Sequence, residues 1–295
     1  MRYLVTGGAG FIGSHMVDRL VAEGHQVNVL DSLSTGNIKN LLKQDPDVGE
    51  NGETTESIPS AVTFYHGDIR NLQDVLTAMI GCDGVFHFAA IARTPWTIED
   101  PVLAMETNVI GTTNVLEAAR RHGTKRVILS SSSVVYAAET PYKASKMAGE
   151  MIARAYEEMY GMSILSFRYS NVYGPRQSEE GPSPNVFAAL RKTKRETGKV
   201  QITGDGEQTR AYTHVSDIVE GNLLAMNSDC TGVLDLTTGV YTSMNEVAKL
   251  FNAEIVYIPE RKGDIKHIKQ DSTSAKIILG WEAKVKIEDG IKDVL

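Results

Sequence analysis

The sequence predicts an α/β fold built on a doubly wound parallel sheet, and three observations carry that reading. Short apolar runs alternate with longer segments of helical spacing through the first half of the chain. The first apolar run leads directly into a glycine-rich turn. Near Asn171 the pattern changes: Gly174-Pro175, Gly181-Pro182 and Pro184 mark loops, and shorter mixed elements follow, which predicts a smaller C-terminal α/β lobe.

The elements follow in chain order. Arg2 to Thr6, carrying Tyr3, Leu4 and Val5, reads as the first strand, and Phe11 to Glu23 as an amphipathic helix. Val27 to Leu30, Val62 to Tyr65, Val85 to Phe88 and Val127 to Leu129 read as further strands. Leu72 to Ile80 and Val102 to Arg121 carry helical spacing between them. A helix over Tyr142 to Tyr160 and a strand over Ile164 to Tyr169 complete the alternation. Beyond it lie a helix near Val186 to Glu196 and strands near Val200 to Thr203 and Leu234 to Leu236. Helices are expected near Val215 to Met226 and Met244 to Phe251, and the last residues before Leu295 read as helical. Gln44 to Ser60 is acidic, contains Gly and Pro, and reads as a solvated loop. The expected division is 1–170 for a cofactor-binding domain, with some later segments returning to it, and 171–295 mainly for a substrate-binding lobe.

Composition narrows the function classes. The 295 residues carry 30 Lys and Arg against 37 Asp and Glu, a net charge of −7. That balance argues against a nucleic-acid partner, which needs cations to neutralise phosphates. The basic run Arg191, Lys192, Lys194, Arg195 and Lys199 reads as a solvated helix face. Two cysteines, Cys82 and Cys230, provide neither a disulfide framework nor a zinc cluster, so no metal is expected. No apolar run approaches the ~18 residues that span a bilayer, and no signal peptide precedes the first strand. The expectation is a cytoplasmic enzyme with no membrane partner.

Thr6-Gly-Gly-Ala-Gly-Phe-Ile-Gly13 lies after a strand and opens a helix. Glycine lets the backbone approach a ligand closely, and a helix N-terminus offers N–H groups to a pyrophosphate. Asp31 ends the second strand, where a carboxylate accepts both hydroxyls of an adenosine ribose. The same carboxylate repels a 2′-phosphate, by roughly 4 kcal/mol per charge pair at ~4 Å and an effective dielectric of ~20. A Rossmann-type fold that binds NAD rather than NADP is therefore expected.

Tyr142 and Lys146 are four residues apart, so they share a helix face. Making phenolate common at neutral pH takes about 3 pKa units, or roughly 4 kcal/mol, which a nearby ammonium helps to supply. Ser130 to Ser133 end a strand, at the sheet edge where ligands bind in open α/β folds. A serine hydroxyl there can hold a substrate oxygen beside Tyr142. His87 and His214 read as hydrogen-bonding or packing residues.

With these motifs in order, the chain resembles the extended short-chain dehydrogenase/reductases that modify nucleotide sugars, and most of all their UDP-galactose (UDP-glucose) 4-epimerase branch. The resemblance rests on TGGAGFIG (6–13), DSLSTG (31–36), GDIR (67–70), HFAA (87–90), NVIGT (108–112) and SSSSVVY (130–136). YKASK (142–146), RYSNVYGPRQ (168–177), GDGEQTRAYTHVSD (204–217) and RKGD (261–264) extend it over nearly the whole chain. It implies an isomerase that inverts C4 of a nucleotide-diphosphate hexose through a transient 4-keto sugar, with NAD as cofactor, working as a homodimer.

The resemblance also implies roles. Ser132, Tyr142 and Lys146 match the catalytic residues. Gly7, Gly10, Phe11, Ile12 and Gly13 would cradle the NAD pyrophosphate, with Asp31, Ser32, Ser34, Thr35 and Gly36 around the ribose. Asp68 and Ile69 would flank adenine. Phe88, Ala89, Ala90, Ala92, Asn108, Ser130 and Tyr169 would line the rest of the cofactor cleft. Ser132, Tyr142, Asn171, Arg210 and Arg261 would bind substrate, the two arginines by the bidentate contacts that suit phosphate. Ile268 resembles a family position that gates the sugar's 2-substituent, and its size would admit an N-acetyl group. Helices at 99–121 and 142–160 resemble those that pair two subunits, although Met151, Ile152, Ala155 and Met159 would serve a monomer's core equally well.

Two departures stand out. Only Ala137 to Pro141 link the serine-ended strand to the Tyr142 helix, a shorter connection than this family usually has, which would open the site to water. Ser133 and Val134 stand where 4,6-dehydratases of the family carry Asp-Glu, which argues against water elimination. A decarboxylase or another nucleotide-sugar epimerase remains an alternative of the same family. A non-catalytic dinucleotide sensor is the alternative of another class, but it would be expected to lack an intact Tyr/Lys pair.

Overall fold

A computed structural model describes residues 1–44, 56–92, 94–124, 126–137, 139–179, 185–259 and 267–295. Its centre is a seven-stranded sheet in which every neighbouring pair is parallel. Across the sheet the strands run Gly232–Leu236, Ser163–Tyr169, Arg126–Ser132, Gly84–His87, Arg2–Thr6, Gln26–Asp31 and Val62–His66. In chain order this is 3-2-1-4-5-6-7, the doubly wound arrangement that the βαβ alternation predicts.

Alternation within single strands divides the core between the two faces. Tyr3 and Val5 point into a cluster with Met16, Val17 and Leu20 of the Phe11–Ala22 helix and Ile218 and Leu223 of the Val215–Met226 helix. Leu4, between them, points into the opposite cluster with Val75, Val115, Leu116 and Ala153. A strand buried on both faces must be apolar at every position, which is why these runs show no polar alternation.

The strand order reverses between Arg2–Thr6 and Gly84–His87, the first and fourth strands. Ligands in such folds bind at the carboxyl ends of strands flanking that reversal. The glycine turn leaves the first of these strands and HFAA leaves the other, so the topology alone brings 6–13 beside 87–90.

The chain beyond Tyr169 serves two places. Asn171–Tyr173, Thr209–His214 and Tyr241–Ser243 form a three-stranded sheet, and Lys199–Thr203 pairs in parallel with Glu254–Ile258. These strands surround a separate apolar cluster that includes Tyr173, Phe187, Tyr212 and Phe251. The Val215–Met226 helix and the Gly232–Leu236 strand instead return to the main sheet.

Several elements were hidden from local pattern. Lys43–Gln44 pairs antiparallel with Glu56–Ser57, so part of the stretch expected to be loop is in a short ladder; 45–55 lie outside the described residues. A short helix at Thr94–Glu99 precedes the long one. The predicted helix over Val102 to Arg121 is helical throughout, but changes from α (Pro101–Met105) to π (Glu106–Gly111) and back to α (Thr112–His122). Near the end of the chain, Thr273–Leu279 is helical, followed by short helical turns at Ile287–Gly290 and Ile291–Asp293.

Trp281 fastens the C-terminal segment to the main sheet's helix layer. It is 1% exposed and donates Nε1–H to the Asp217 carbonyl at 2.8 Å. The Asp217 carboxylate in turn accepts the backbone N–H groups of Lys284 and Val285, each at 3.0 Å. Truncating Trp281 removes the largest fully buried side chain and one buried hydrogen bond. Trp281→Ala is expected to lose about 3–5 kcal/mol of stability, read as a lowered urea midpoint with an unchanged slope.

Candidate active site

The glycine turn is built by close approach. Gly7 has φ +69°, and a Cβ there would lie 2.7 Å from the Ala89 nitrogen. A Cβ on Gly13 would lie 2.2 Å from the Gly7 carbonyl oxygen. Only glycine allows the first helix turn to sit this tightly on the loop before it and on the neighbouring strand. The Phe11–Ala22 helix starts at Gly10 with no side-chain cap and no acidic residue in its first turn. Its opening N–H groups and positive dipole end thus suit an anion.

Asp31 lies beside this turn at the end of its strand. Its Oδ2 accepts the Ala9 N–H at 2.9 Å and its Oδ1 the Leu33 N–H at 2.8 Å. Burial pushes its carboxyl above the usual range, and the two N–H groups oppose that shift. Each oxygen keeps lone-pair capacity for a hydroxyl. A Cβ on Gly36 would press on this carboxylate at 2.8 Å. Ser32 donates to Ser34 at 3.1 Å in the same loop, where Ser34 and Thr35 are exposed. These residues fit a dinucleotide: a tight glycine cradle, an uncapped helix end and a buried carboxylate at the next strand.

The rest of the predicted cofactor set is more dispersed. Asp68 pairs with Arg70 at 2.6 Å, and that guanidinium holds its carboxyl below the usual range. Asp68, Arg70, Asn71, Glu106 and Ile110 line an open groove. Ile69 is buried against Gly111. Phe88 stacks on Phe86 at 6.4 Å, Ala89 and Ala90 are half-buried, and Ala92 is exposed. Tyr169 is buried, and its hydroxyl donates to Asn222 at 2.8 Å within the core.

Asn108 lies in the π segment and is 3% exposed. It accepts the Ile91 N–H at 2.8 Å, donates to the Ile91 carbonyl at 3.0 Å, and donates to Ser145 Oγ at 3.0 Å. Ser145 Oγ donates to the Tyr142 carbonyl at 2.8 Å. One amide therefore ties the loop after Gly84–His87 to the helix bearing Tyr142. A π turn inserts a residue into a helix and redirects its side chains.

That helix spans Pro141–Tyr160. Pro141 occupies its first turn, Thr140 caps it by accepting the Lys143 N–H at 3.2 Å, and Gly161 ends it with φ +65°. The short link before it is tied down. Ser133–Tyr136 form a 3₁₀ turn capped by Ser132, whose Oγ accepts the Val134 N–H at 3.2 Å. Lys143 Nζ donates to the Ala137 carbonyl and Glu139 at 3.0 and 2.7 Å. Tyr142 and Lys146 are 8% and 9% exposed, so the short link leaves this pair shielded from water rather than open to it.

Lys146 Nζ donates to the Ser130 carbonyl at 2.9 Å and lies 5.9 Å from the centre of the Tyr142 ring. Burial pushes its pKa down to about 8, and Glu150 opposes that shift. Behind it, His87 is held between two hydroxyls: Nδ1 meets Thr6 Oγ1 at 2.6 Å and Nε2 meets Thr112 Oγ1 at 3.0 Å. Thr112 donates to the Asn108 carbonyl at 2.7 Å, so His87 Nε2 supplies the proton to Thr112 and Nδ1 accepts from Thr6. Burial, aided by the Lys146 charge, pushes the His87 pKa down to about 3 and keeps the ring neutral.

Asn171 opens a strand that pairs with Thr209–His214 in the second lobe, and Arg210 lies half-buried on that partner strand. Arg210 Nη1 donates to the Thr209 carbonyl at 2.7 Å. Arg261 lies outside the described residues. His214 meets Ser216 Oγ at 2.8 Å and caps the Val215–Met226 helix. The sequence reading overlooked Thr6, Thr112 and Glu150. Glu150 had a signal, since Tyr142, Lys146 and Glu150 recur every four residues on one helix face. Thr6 and Thr112 had none, because their partner His87 is distant in sequence.

A dinucleotide cradle at the switch point of a parallel sheet, beside a buried Tyr/Lys pair, defines a cofactor-dependent α/β enzyme. The chain belongs to the NAD dependent epimerase/dehydratase family, whose profile matches residues 3–234. The UDP-glucose 4-epimerase of Mycolicibacterium smegmatis is 34% identical, over 99% of this chain and 96% of its own. The crystal structure of the Thermotoga maritima UDP-glucose 4-epimerase with UDP-glucose superposes with a TM-score of 0.89 at 34% identity, covering 100% and 97% of the two chains. The Thermus thermophilus UDP-glucose 4-epimerase complex with NAD gives 0.86 at 33%, again covering 100% and 97%.

The Lys146 site also predicts a pH dependence. Burial lowers its pKa from 10.5 to about 8, so between those values the unfolded chain binds more protons than the folded one. Stability contributed at this site therefore rises with pH across that window, by roughly 2–4 kcal/mol in total. The unfolding free energy of the wild type minus that of Lys146→Met is expected to climb from pH 8 to pH 10. A flat difference would show that the lysine is not perturbed.

Proposed function

We propose that this chain inverts C4 of a nucleotide-diphosphate hexose of the UDP-galactose/UDP-glucose type, using tightly held NAD. The observation that carries the reading is the buried Lys146 ammonium beside Tyr142, adjoining the glycine cradle. NAD, when bound, supplies the acceptor that takes hydride from C4 and returns it. Gly7, Gly10, Phe11, Ile12 and Gly13 hold its pyrophosphate and Asp31 its ribose, and the Asp31 charge favours NAD over NADP.

Tyr142 Oη takes the proton of the sugar 4-hydroxyl and later gives it back. Lys146 stabilises the phenolate that makes this possible. Ser132 Oγ already accepts the Val134 N–H, so its own hydrogen is available to donate to the sugar O4. Inversion requires the 4-keto sugar to present both faces to one cofactor. The substrate must then be gripped by its diphosphate rather than its hexose, the role we give to Asn171, Arg210 and Arg261. Dehydration of the sugar is disfavoured because Ser133 and Val134 offer no acid–base pair beside Ser132.

The test is to incubate the purified protein with UDP-galactose and follow UDP-glucose without added NAD. Wild type is expected to interconvert them, and Tyr142→Phe to lose at least about 10³-fold in turnover, the scale of acid–base catalysis. Tyr142→Phe turning over at the wild-type rate overturns the assignment.

We also propose a homodimer. Met151, Ala155 and Met159 are exposed along the Pro141–Tyr160 helix, with Met151 at 71% and Met159 at 70%, so they are not core residues of a single chain. Val102 and Ile110 are also exposed, on helical segments that pack against this helix. Among the described residues no helix is long and apolar enough to cross a membrane. The free thiols of Cys82 and Cys230 suit a reducing, cytoplasmic setting. Met151→Lys is expected to convert a dimer to monomer in light scattering, and a monomeric wild type would overturn this assembly.

A further inference from the structure

Lys146 must stay charged to stabilise a Tyr142 phenolate, yet it is buried and donates to a neutral carbonyl, that of Ser130. On its far side lies a cavity of about 10 Å³, room for a single water at most. Lys146, Glu150, Ser131, Ser166, His87 and Thr112 are among its lining residues. Glu150 is the one carboxylate on that wall.

Glu150 is held from two sides. Arg168, on the Ser163–Tyr169 strand, donates Nη2 to Oε2 at 2.6 Å and Nε to Oε1 at 2.9 Å. Ser131 Oγ donates to Oε1 at 2.5 Å. Arg168 is itself anchored: Nη1 donates to Tyr136 Oη at 2.8 Å, and Tyr136 donates to Asp235 at 2.9 Å. The Glu150 side chain is 10% exposed and that of Arg168 25%. This clamp holds the Glu150 carboxylate from two sides, in the wall of the cavity that Lys146 also lines.

We propose that Glu150 is a positioning residue for catalysis: held by Arg168 and Ser131, its carboxylate faces Lys146 across the cavity and keeps the ammonium charged in its buried place. The proposal rests on the Tyr142–Lys146 acid–base pair described above. Four titratable or charged groups bear on the lysine. Tyr142 and Glu150 come from its own helix, His87 from the Gly84–His87 strand, and Arg168 stands behind Glu150. His87 is neutral, and Arg168 does not line the cavity, so Glu150 is the nearer charge and its sign prevails.

A purely structural ion pair would change stability and leave the lysine's titration alone. The experiment therefore follows the Lys146 Cε resonance in ¹³C-lysine-labelled protein, assigned by its loss in Lys146→Met, together with the pH profile of UDP-galactose turnover. In Glu150→Gln the Lys146 midpoint is expected to fall by about one pH unit. The alkaline limb of kcat should move down with it, while KM stays within about twofold. Glu150→Asp, which keeps the charge, should restore both toward wild type. If Glu150→Gln alone does not fold, Glu150→Gln/Arg168→Gln strands no guanidinium, and its midpoint should still fall because the nearer charge has gone. An unchanged Lys146 midpoint in either folded variant overturns the proposal. Should the protein not turn over UDP-galactose at all, the epimerase reading fails, while the resonance titration still decides the role of Glu150.

Discussion

The ammonium of a lysine that is 9% exposed stays protonated only where oxygen atoms and a counter-charge replace the water it has lost. Three strands of the main sheet are arranged around that demand at Lys146. The Arg126–Ser132 strand ends where its Ser130 carbonyl can accept from Nζ. The adjacent Ser163–Tyr169 strand contributes Arg168, which fixes Glu150 behind the lysine. The Gly84–His87 strand contributes a histidine whose neutral state is set by two threonine hydroxyls, so it adds no competing charge. Three strands of one parallel sheet thus meet the needs of one residue on the helix that covers them.

A second constraint acts at the switch point. The glycine turn can approach Ala89 only because Gly7 lacks a Cβ, and the helix can begin at once only because Gly13 lacks one. This packing holds an uncapped helix end beside the Asp31 carboxylate. Asn108 then couples that side to the catalytic helix, since its single amide reaches both Ile91 and Ser145. The loop after the Gly84–His87 strand and the helix bearing Tyr142 and Lys146 are thus joined through hydrogen bonds inside the protein. This also explains how a link as short as Ala137 to Pro141 is accommodated. The link runs from the end of the Ser133–Tyr136 turn to the Thr140 cap of the next helix, and the tyrosine and lysine beyond it remain buried.

Much of this could be read in one dimension. The central strands announce themselves as largely apolar runs and the edge strand Val62–His66 as a short β-branched and aromatic one, so the first six strands of the sheet were legible within a few residues. The glycine turn, Asp31 at a strand end and the i, i+4 spacing of Tyr142 and Lys146 are also local patterns. The shift to π geometry at Glu106–Gly111 was not, because ordinary helical spacing runs through it. The short strands Asn171–Tyr173, Thr209–His214 and Tyr241–Ser243 were missed because each gains its stability from its neighbours. Met151 and Met159 have spacing that a core and an exposed interface share equally, and only their exposure separates the two.

The sequence by itself determined the α/β class, the place of the glycine turn and the shared helix face of Tyr142 and Lys146, because each depends on residues close together along the chain. Only the tertiary structure decided that His87 is a neutral spacer between Thr6 and Thr112, that Asn108 bridges Ile91 and Ser145, and that Glu150, gripped by Arg168, lines one cavity with Lys146. Charge and hydrogen bonding act through space. In a parallel sheet the strands that meet at one edge are separated by whole helices in sequence, so no local pattern records which of their side chains will touch.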